Sequence, residues 1–168
     1  MKANILQAHL DVAARYSQLS KARRLQVGAV VVKDDRIISI GYNGTPPGWD
    51  NNCEYEIPLP QQEIYPGMVD AVYRYELKTK PEVLHAEENA IGKLARSHES
   101  GEGATMFITH APCAQCAKLI LVSGIKSVFY RDTYRDDSGI KFLEKGGIKV
   151  QQLKEENTDE NAHRMSQL

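Results

Sequence analysis

The sequence predicts a three-layer α/β/α protein built on a mixed five-stranded sheet, with an antiparallel N-terminal hairpin at one edge. Two observations carry this α/β reading. A β-branched run at 26–33 (Q-V-G-A-V-V-V-K) is followed, after Asp34 and Asp35, by a second apolar run at 36–42 (R-I-I-S-I-G-Y), and so short a connection makes the pair antiparallel. Beyond Pro81, helical and strand patterns alternate across short connections, which implies right-handed parallel crossovers and helices on both faces of the sheet.

Taken in order, residues 3–19 space Ile5, Leu6, Leu10, Val12, Ala13, Tyr16 and Leu19 as the buried stripe of a helix. The hairpin follows. From 43 to 81 the periodicity fails, because Gly44, Pro46, Pro47, Gly48, Pro58, Pro60, Pro66, Gly67 and Pro81 punctuate the stretch throughout. It reads as a long irregular flap, ordered by Trp49, Tyr55, Tyr65, Tyr73 and Tyr75, with a short helix at 70–78. Helices at 85–97, 113–123 and 138–145 then alternate with strands at 104–109, 126–130 and 147–152. Residues 1–152 form one domain on this reading, and the polar, aperiodic stretch 153–168 is a frayed tail.

Composition excludes several classes. At 168 residues, 42% of them hydrophobic and 26% charged, the chain buries a sufficient core without disulfides. A net charge of -1 gives no bulk hold on nucleic acid or on a membrane surface, so neither partner is expected. No apolar run approaches the roughly 20 residues of a membrane span, and the N-terminus lacks the apolar stretch of a signal peptide. Three cysteines without a framework fit a reducing compartment, and a cytoplasmic location is expected.

Two segments carry chemistry, His85-Ala86-Glu87 and Pro112-Cys113-Ala114-Gln115-Cys116, and each opens a predicted helix. Cys113 and Cys116, three apart, leave the same face of a helical turn, and the positive potential of a helix N-terminus favours thiolates there. A helix–strand–helix path returns the chain so that the two helix starts lie side by side. One imidazole and two thiolates then converge, a three-ligand zinc site with a fourth position for water, which is the catalytic pattern. Glu87, two residues from a ligand, is the base for that water. Separately the halves say less: C-x-x-C also serves as a redox pair or half of a structural zinc site, and H-x-E as an ordinary helix cap. His110 and Cys53 are the alternatives for a fourth, site-closing ligand; otherwise Cys53 is a free thiol.

Together, H-x-E…P-C-x-x-C resembles the signature of zinc nucleobase deaminases. The likeness to the cytidine deaminase-like superfamily covers roughly residues 27–134. Within it the chain is most similar to the deoxycytidylate (dCMP) deaminases, through V-G-A-V-V-V-K-D-D-R-I-I-S-I-G-Y-N-G-T-P-P-G (27–48), L-H-A-E-E-N-A-I (84–91) and S-V-F-Y-R-D-T-Y (127–134). The resemblance implies His85, Cys113 and Cys116 as ligands of one Zn²⁺ and Glu87 as proton shuttle in deamination of dCMP to dUMP, which feeds dTMP synthesis. It implies that Asn43 and Thr45 contact the nucleotide and that Tyr134 covers it. It further implies a homo-hexamer activated by dCTP and inhibited by dTTP, with Gly41, Tyr42 and Gly44 associated with that regulation and Mg²⁺ the companion of a triphosphate effector. A second, structural zinc is not expected, since only Cys53 remains of such a set and Ala22 stands where a partner would be sought.

On their own chemistry, Gly-Tyr-Asn-Gly is also simply a turn and Tyr134 equally a core aromatic. A 5′-phosphate needs a cation or N–H donors. Lys21, Arg23 and Arg24 before the first strand, and Arg131 and Arg135 around D-T-Y, are the candidates, with nothing in the sequence to choose among them.

Overall fold

A computed structural model describes residues 1–59 and 75–154. Its elements are Ala3–Ser17 (α1), Gly28–Lys33 (β1), Arg36–Tyr42 (β2), Glu54–Pro58 (β3), Tyr75–Thr79 (β4), Ala86–Leu94 (α2), Thr105–His110 (β5), Ala114–Val122 (α3), Ser127–Asp132 (β6), Ser138–Lys145 (α4) and Lys149–Gln152 (β7). The predicted tail beyond residue 154 and residues 70–74 of the predicted flap helix lie outside the described residues.

Five strands form one sheet in the order β2-β1-β5-β6-β7. β1 is antiparallel to both neighbours, β2 and β5, whereas β5–β6 and β6–β7 are parallel, so the sheet is mixed as predicted. Asp34 and Asp35 both take positive φ (50° and 56°), the conformation a two-residue hairpin turn needs to match the strand twist. The period of two sorts β1 and β5 between layers. Ala29, Val31, Met106 and Ile108 pack with Ala86, Ala90, Leu94, Ala117, Ile120 and Leu143 of α2, α3 and α4. Val30, Val32 and Phe107 pack on the other side with Leu10 and Ala13 of α1. The three layers are therefore α1, the sheet, and α2 with α3 and α4.

One expectation is corrected. Residues 75–78, predicted as part of a helix, are in β4, which pairs antiparallel with β3 from Glu54↔Thr79 to Pro58↔Tyr75 as a separate two-stranded ribbon. Both strands are amphipathic over period two, and their hydrogen-bond partners lie some twenty residues away, a non-local pairing that local spacing does not reveal. The predicted flap thus carries regular structure at each end of its undescribed middle.

The sheet holds α2 closely. The Asn89 amide donates to the Tyr42 carbonyl at 2.7 Å, Ser39 Oγ to Ala90 O at 2.7 Å and Lys93 Nζ to Ile40 O at 3.1 Å. Gly41 permits this approach, for a Cβ there would lie 2.0 Å from the Ala86 carbonyl oxygen and 2.6 Å from the Ala90 nitrogen. The same helix carries Gly92, around which a Cβ meets nothing. Gly41→Ala should therefore cost about 2 to 3 kcal/mol by overpacking, whereas Gly92→Ala should stabilise by about 0.5 to 1 kcal/mol through helix propensity. Urea denaturation of the two variants checks the pair; equal effects would contradict the packing.

Candidate metal centre and active-site pocket

The parallel strands determine where the functional groups meet. His85 is the N-cap of α2 and Cys113 the N-cap of α3, both extended (ψ 161° and 168°), so each turns its side chain out just where a helix begins. Cys116 follows in the first turn of α3. Their position is fixed from behind. Glu88 accepts the His85 N–H at 2.7 Å. Gly44 and Leu84 exchange backbone hydrogen bonds at 3.1 and 2.9 Å, tying the turn after β2 to the residue before His85.

His85 Nδ1 lies 3.6 Å from Cys113 Sγ and 3.4 Å from Cys116 Sγ, and the three donor atoms fall within 4.8 Å of one another. A tetrahedral zinc ion with bonds of about 2.3 Å to sulfur and 2.0 Å to nitrogen sets such ligands about 3.6 Å apart. The residues present fit that ion in type, number and spacing. Their protonation is coupled. Hydrogen bonds to Cys116 and His85 hold the Cys113 thiol down at about 3, the contact with Cys113 holds the His85 imidazole up at about 9, and the same contact pushes Cys116 up. This proton-sharing trio is one a divalent cation displaces protons from on binding.

Glu87 stands beside them, 4% exposed, and burial pushes its carboxyl up to about 7. A group that titrates near neutrality is suited to taking and returning a proton. His85, Cys113 and Glu87 line a pocket of about 380 Å³, together with Arg24, Leu25, Val27, Asn43, Glu54, Thr79, Val83, Ala86, His110, Ala111 and Tyr134. The site lies outside the carboxyl end of β5, where open α/β sheets place their ligands.

The other predicted residues divide. Asn43 and Tyr134 are in the pocket wall. Asn43 also clamps the chain before β1, with Oδ1 accepting from the Val27 N–H and Nδ2 donating to Leu25 O, each at 2.8 Å. Thr45 is not among the pocket-lining residues; its hydroxyl donates to the Asp50 carbonyl and closes the turn. Gly41, Tyr42 and Gly44 are the contacts of that turn with α2 and with Leu84. His110, an alternative fourth ligand, lines the pocket but turns Nε2 to Asp132 Oδ2 at 3.5 Å and Nδ1 to Thr109 Oγ1 at 3.2 Å, outside the donor cluster. Cys53 is buried with Ala22 and Val83, its Sγ 3.7 Å from the Asn51 carbonyl, and also outside the cluster.

The sequence did not choose among its basic residues, and the ribbon separates two of them, Arg23 and Arg24. Arg23 is engaged by carboxylates, with Nη1 2.7 Å from Glu56 Oε1 and Nε 3.8 Å from Glu54 Oε2. Among the described residues Arg24 has a neutral partner alone, Thr79 Oγ1 at 3.3 Å, and is the one lysine or arginine lining the pocket. Glu54 and Thr79 were not singled out from sequence, because their place depends on the β3–β4 pairing.

Cys113→Ala and Cys116→Ala should each lose bound zinc, while Glu87→Gln and His110→Ala retain one equivalent. Metal content after dialysis checks this, and a zinc-replete Cys113→Ala would contradict the ligand set.

Known proteins resemble this chain over most of its length. A family model described as the cytidine and deoxycytidylate deaminase zinc-binding region matches residues 3–132. The deoxycytidylate deaminase of Enterobacteria phage T4 is 39% identical over 157 residues, covering 80% of this chain and 79% of the relative. That of Homo sapiens is 38% identical over 129 residues, 76% of this chain and 65% of the relative. Among solved structures, the dCMP deaminase of cyanophage S-TIM5, in complex with dCMP and dUMP, superposes with a TM-score of 0.76 at 40% identity, covering 91% of this chain and 99% of that one. The chain is thus a hydrolytic deaminase and belongs to the cytidine and deoxycytidylate deaminase family.

Proposed function

We propose that the protein converts dCMP and water to dUMP and ammonia. The observation that carries the reading is the buried carboxyl of Glu87, in the wall of one pocket with His85 and Cys113. His85, Cys113 and Cys116 would hold the zinc ion, which when bound would supply Lewis acidity and a reactive water at neutral pH. Glu87 takes a proton from the attacking water and passes it to N3 of the cytosine, which makes C4 electrophilic. The water oxygen forms its bond to C4. Glu87 then carries the second proton to the 4-amino group, the C4–N bond breaks, and ammonia leaves. The carboxyl returns to its starting state, and no co-reactant is needed.

Supporting dCMP as substrate are the relatives named deoxycytidylate deaminases and the complex of the cyanophage enzyme with dCMP and dUMP. The guanidinium of Arg24, in the pocket wall beside the neutral Thr79 hydroxyl, adds to this, since a 5′-phosphate calls for a charge-assisted donor. In this reading Arg24 takes the phosphate, Asn43 offers its remaining amide N–H to the nucleotide, Tyr134 covers it, and Thr45 acts through the turn it closes. The family resemblance adds a cytoplasmic homo-hexamer, dCTP as activator and dTTP as inhibitor with Mg²⁺ on the triphosphate, and supply of dUMP for dTMP synthesis. Support for regulation through the G-Y-N-G turn is its contact with the ligand helix, Tyr42 through Asn89 and Gly44 through Leu84. Among the described residues no helix is long and apolar enough to cross a membrane.

The test is release of dUMP and ammonia from dCMP by the zinc-loaded protein, with and without dCTP. Glu87→Gln should lower kcat about a thousandfold. Arg24→Ala should raise KM for dCMP about 10- to 100-fold, the loss of one charge-assisted contact. Tight zinc binding with no dUMP formed would overturn the reading.

A further inference from the structure

We infer that Glu54 is a positioning residue for the phosphate subsite, acting through Arg24; the inference rests on the dCMP reading and deepens it. Glu54 is the first residue of β3, lines the pocket and is 2% exposed. A carboxylate so buried is costly unless its charge is met by donors. Glu54 meets it with one oxygen. Oε1 accepts the backbone N–H of Arg23 at 3.1 Å and of Arg24 at 3.2 Å. Oε2 is closed off from solvent, finds no hydrogen-bond donor among the described residues, and faces Arg23 Nε at 3.8 Å.

The consequence is geometric. The chain between α1 and β1 has no regular structure at Arg23 and Arg24, and two side chains pin it from the pocket side. Glu54 holds the amides of Arg23 and Arg24, and Asn43 holds Leu25 O and Val27 N. Arg24 is therefore fixed at its backbone by β3 and at its guanidinium by Thr79 of β4, directly across the ribbon from Glu54. The same carboxylate, with Glu56, occupies Arg23 and removes it from competition for an anion.

The electrostatics are consistent. A carboxylate near a phosphate subsite repels a dianion unless it is compensated, and here two N–H groups and one guanidinium compensate it. Among the described residues, what remains in the pocket is one guanidinium with a neutral partner, held in place before a ligand arrives. Holding it so lowers the ordering cost of binding. Glu54 thus contributes to recognition of a nucleotide without touching it.

A double-mutant cycle on dCMP turnover tests this, with zinc content recorded for every variant as a check of folding. Glu54→Ala should raise KM for dCMP roughly tenfold with kcat changed less than twofold, because only the placement of the anion anchor is lost. Glu54→Gln keeps an acceptor oxygen for the two amides and should stay within about threefold of the parent KM. Glu54→Ala on an Arg24→Ala background should add nothing, since the route to substrate is already gone. Additive KM losses, a fall in kcat matching the change in KM, or Glu54→Gln as impaired as Glu54→Ala would overturn the inference. A parent protein that forms no dUMP would instead overturn the dCMP reading, and this one with it.

Discussion

Two helix N-termini, those of α2 and α3, are brought together above the carboxyl end of the sheet, and the chemistry depends on that meeting. It follows from connectivity. β2 and β5 run in the same direction with β1 between them, and β5 and β6 are parallel neighbours. The helices that follow β2 and β5 therefore begin at the same end of the sheet. A ligand at each N-cap, His85 and Cys113, with Cys116 one turn on, is then enough to close a donor triangle. The N-termini of both helices point positive potential at this spot, which favours thiolate there.

Small residues make the meeting close. Gly41 brings the start of α2 to within contact of β2, and Gly139 does the same for α4 against Pro112 and Cys113, where a Cβ would lie 2.0 Å from the Pro112 carbonyl. The turn after β2 is consequently more than a connection. Its Gly41 packs the ligand helix, its Tyr42 carbonyl takes the Asn89 amide, its Asn43 clamps the chain before β1, and its Gly44 holds Leu84. One of these four residues, Asn43, lines the pocket while the others support the start of α2, so a perturbation of the pocket wall and one of the donor cluster are coupled.

What the sequence disclosed follows the range of each interaction. The sheet, its hairpin and the alternating helices were legible because their patterns are local: β-branched runs, two aspartates in a left-handed turn, and apolar spacing at helical period. The donor set was legible because its spacing and its place at two helix starts are sequence properties. The β3–β4 ribbon was not, since Glu54 pairs with Thr79 far along the chain and neither short strand carries a local signal of its partner. With the ribbon went Glu54, Thr79 and the distinction between Arg23 and Arg24. Three basic residues within four positions are equivalent until Glu54 and Glu56 are brought beside one of them.

Three protein donors meet at this point, and in the proposed reaction a zinc ion held there would keep one position for water. X-ray absorption at the zinc edge of the loaded protein reads it directly. The account predicts two sulfur ligands at about 2.3 Å with one imidazole nitrogen and one further light ligand at about 2.0 Å. A third sulfur, or a second imidazole in place of the exchangeable ligand, would mean a closed structural site and would contradict the account.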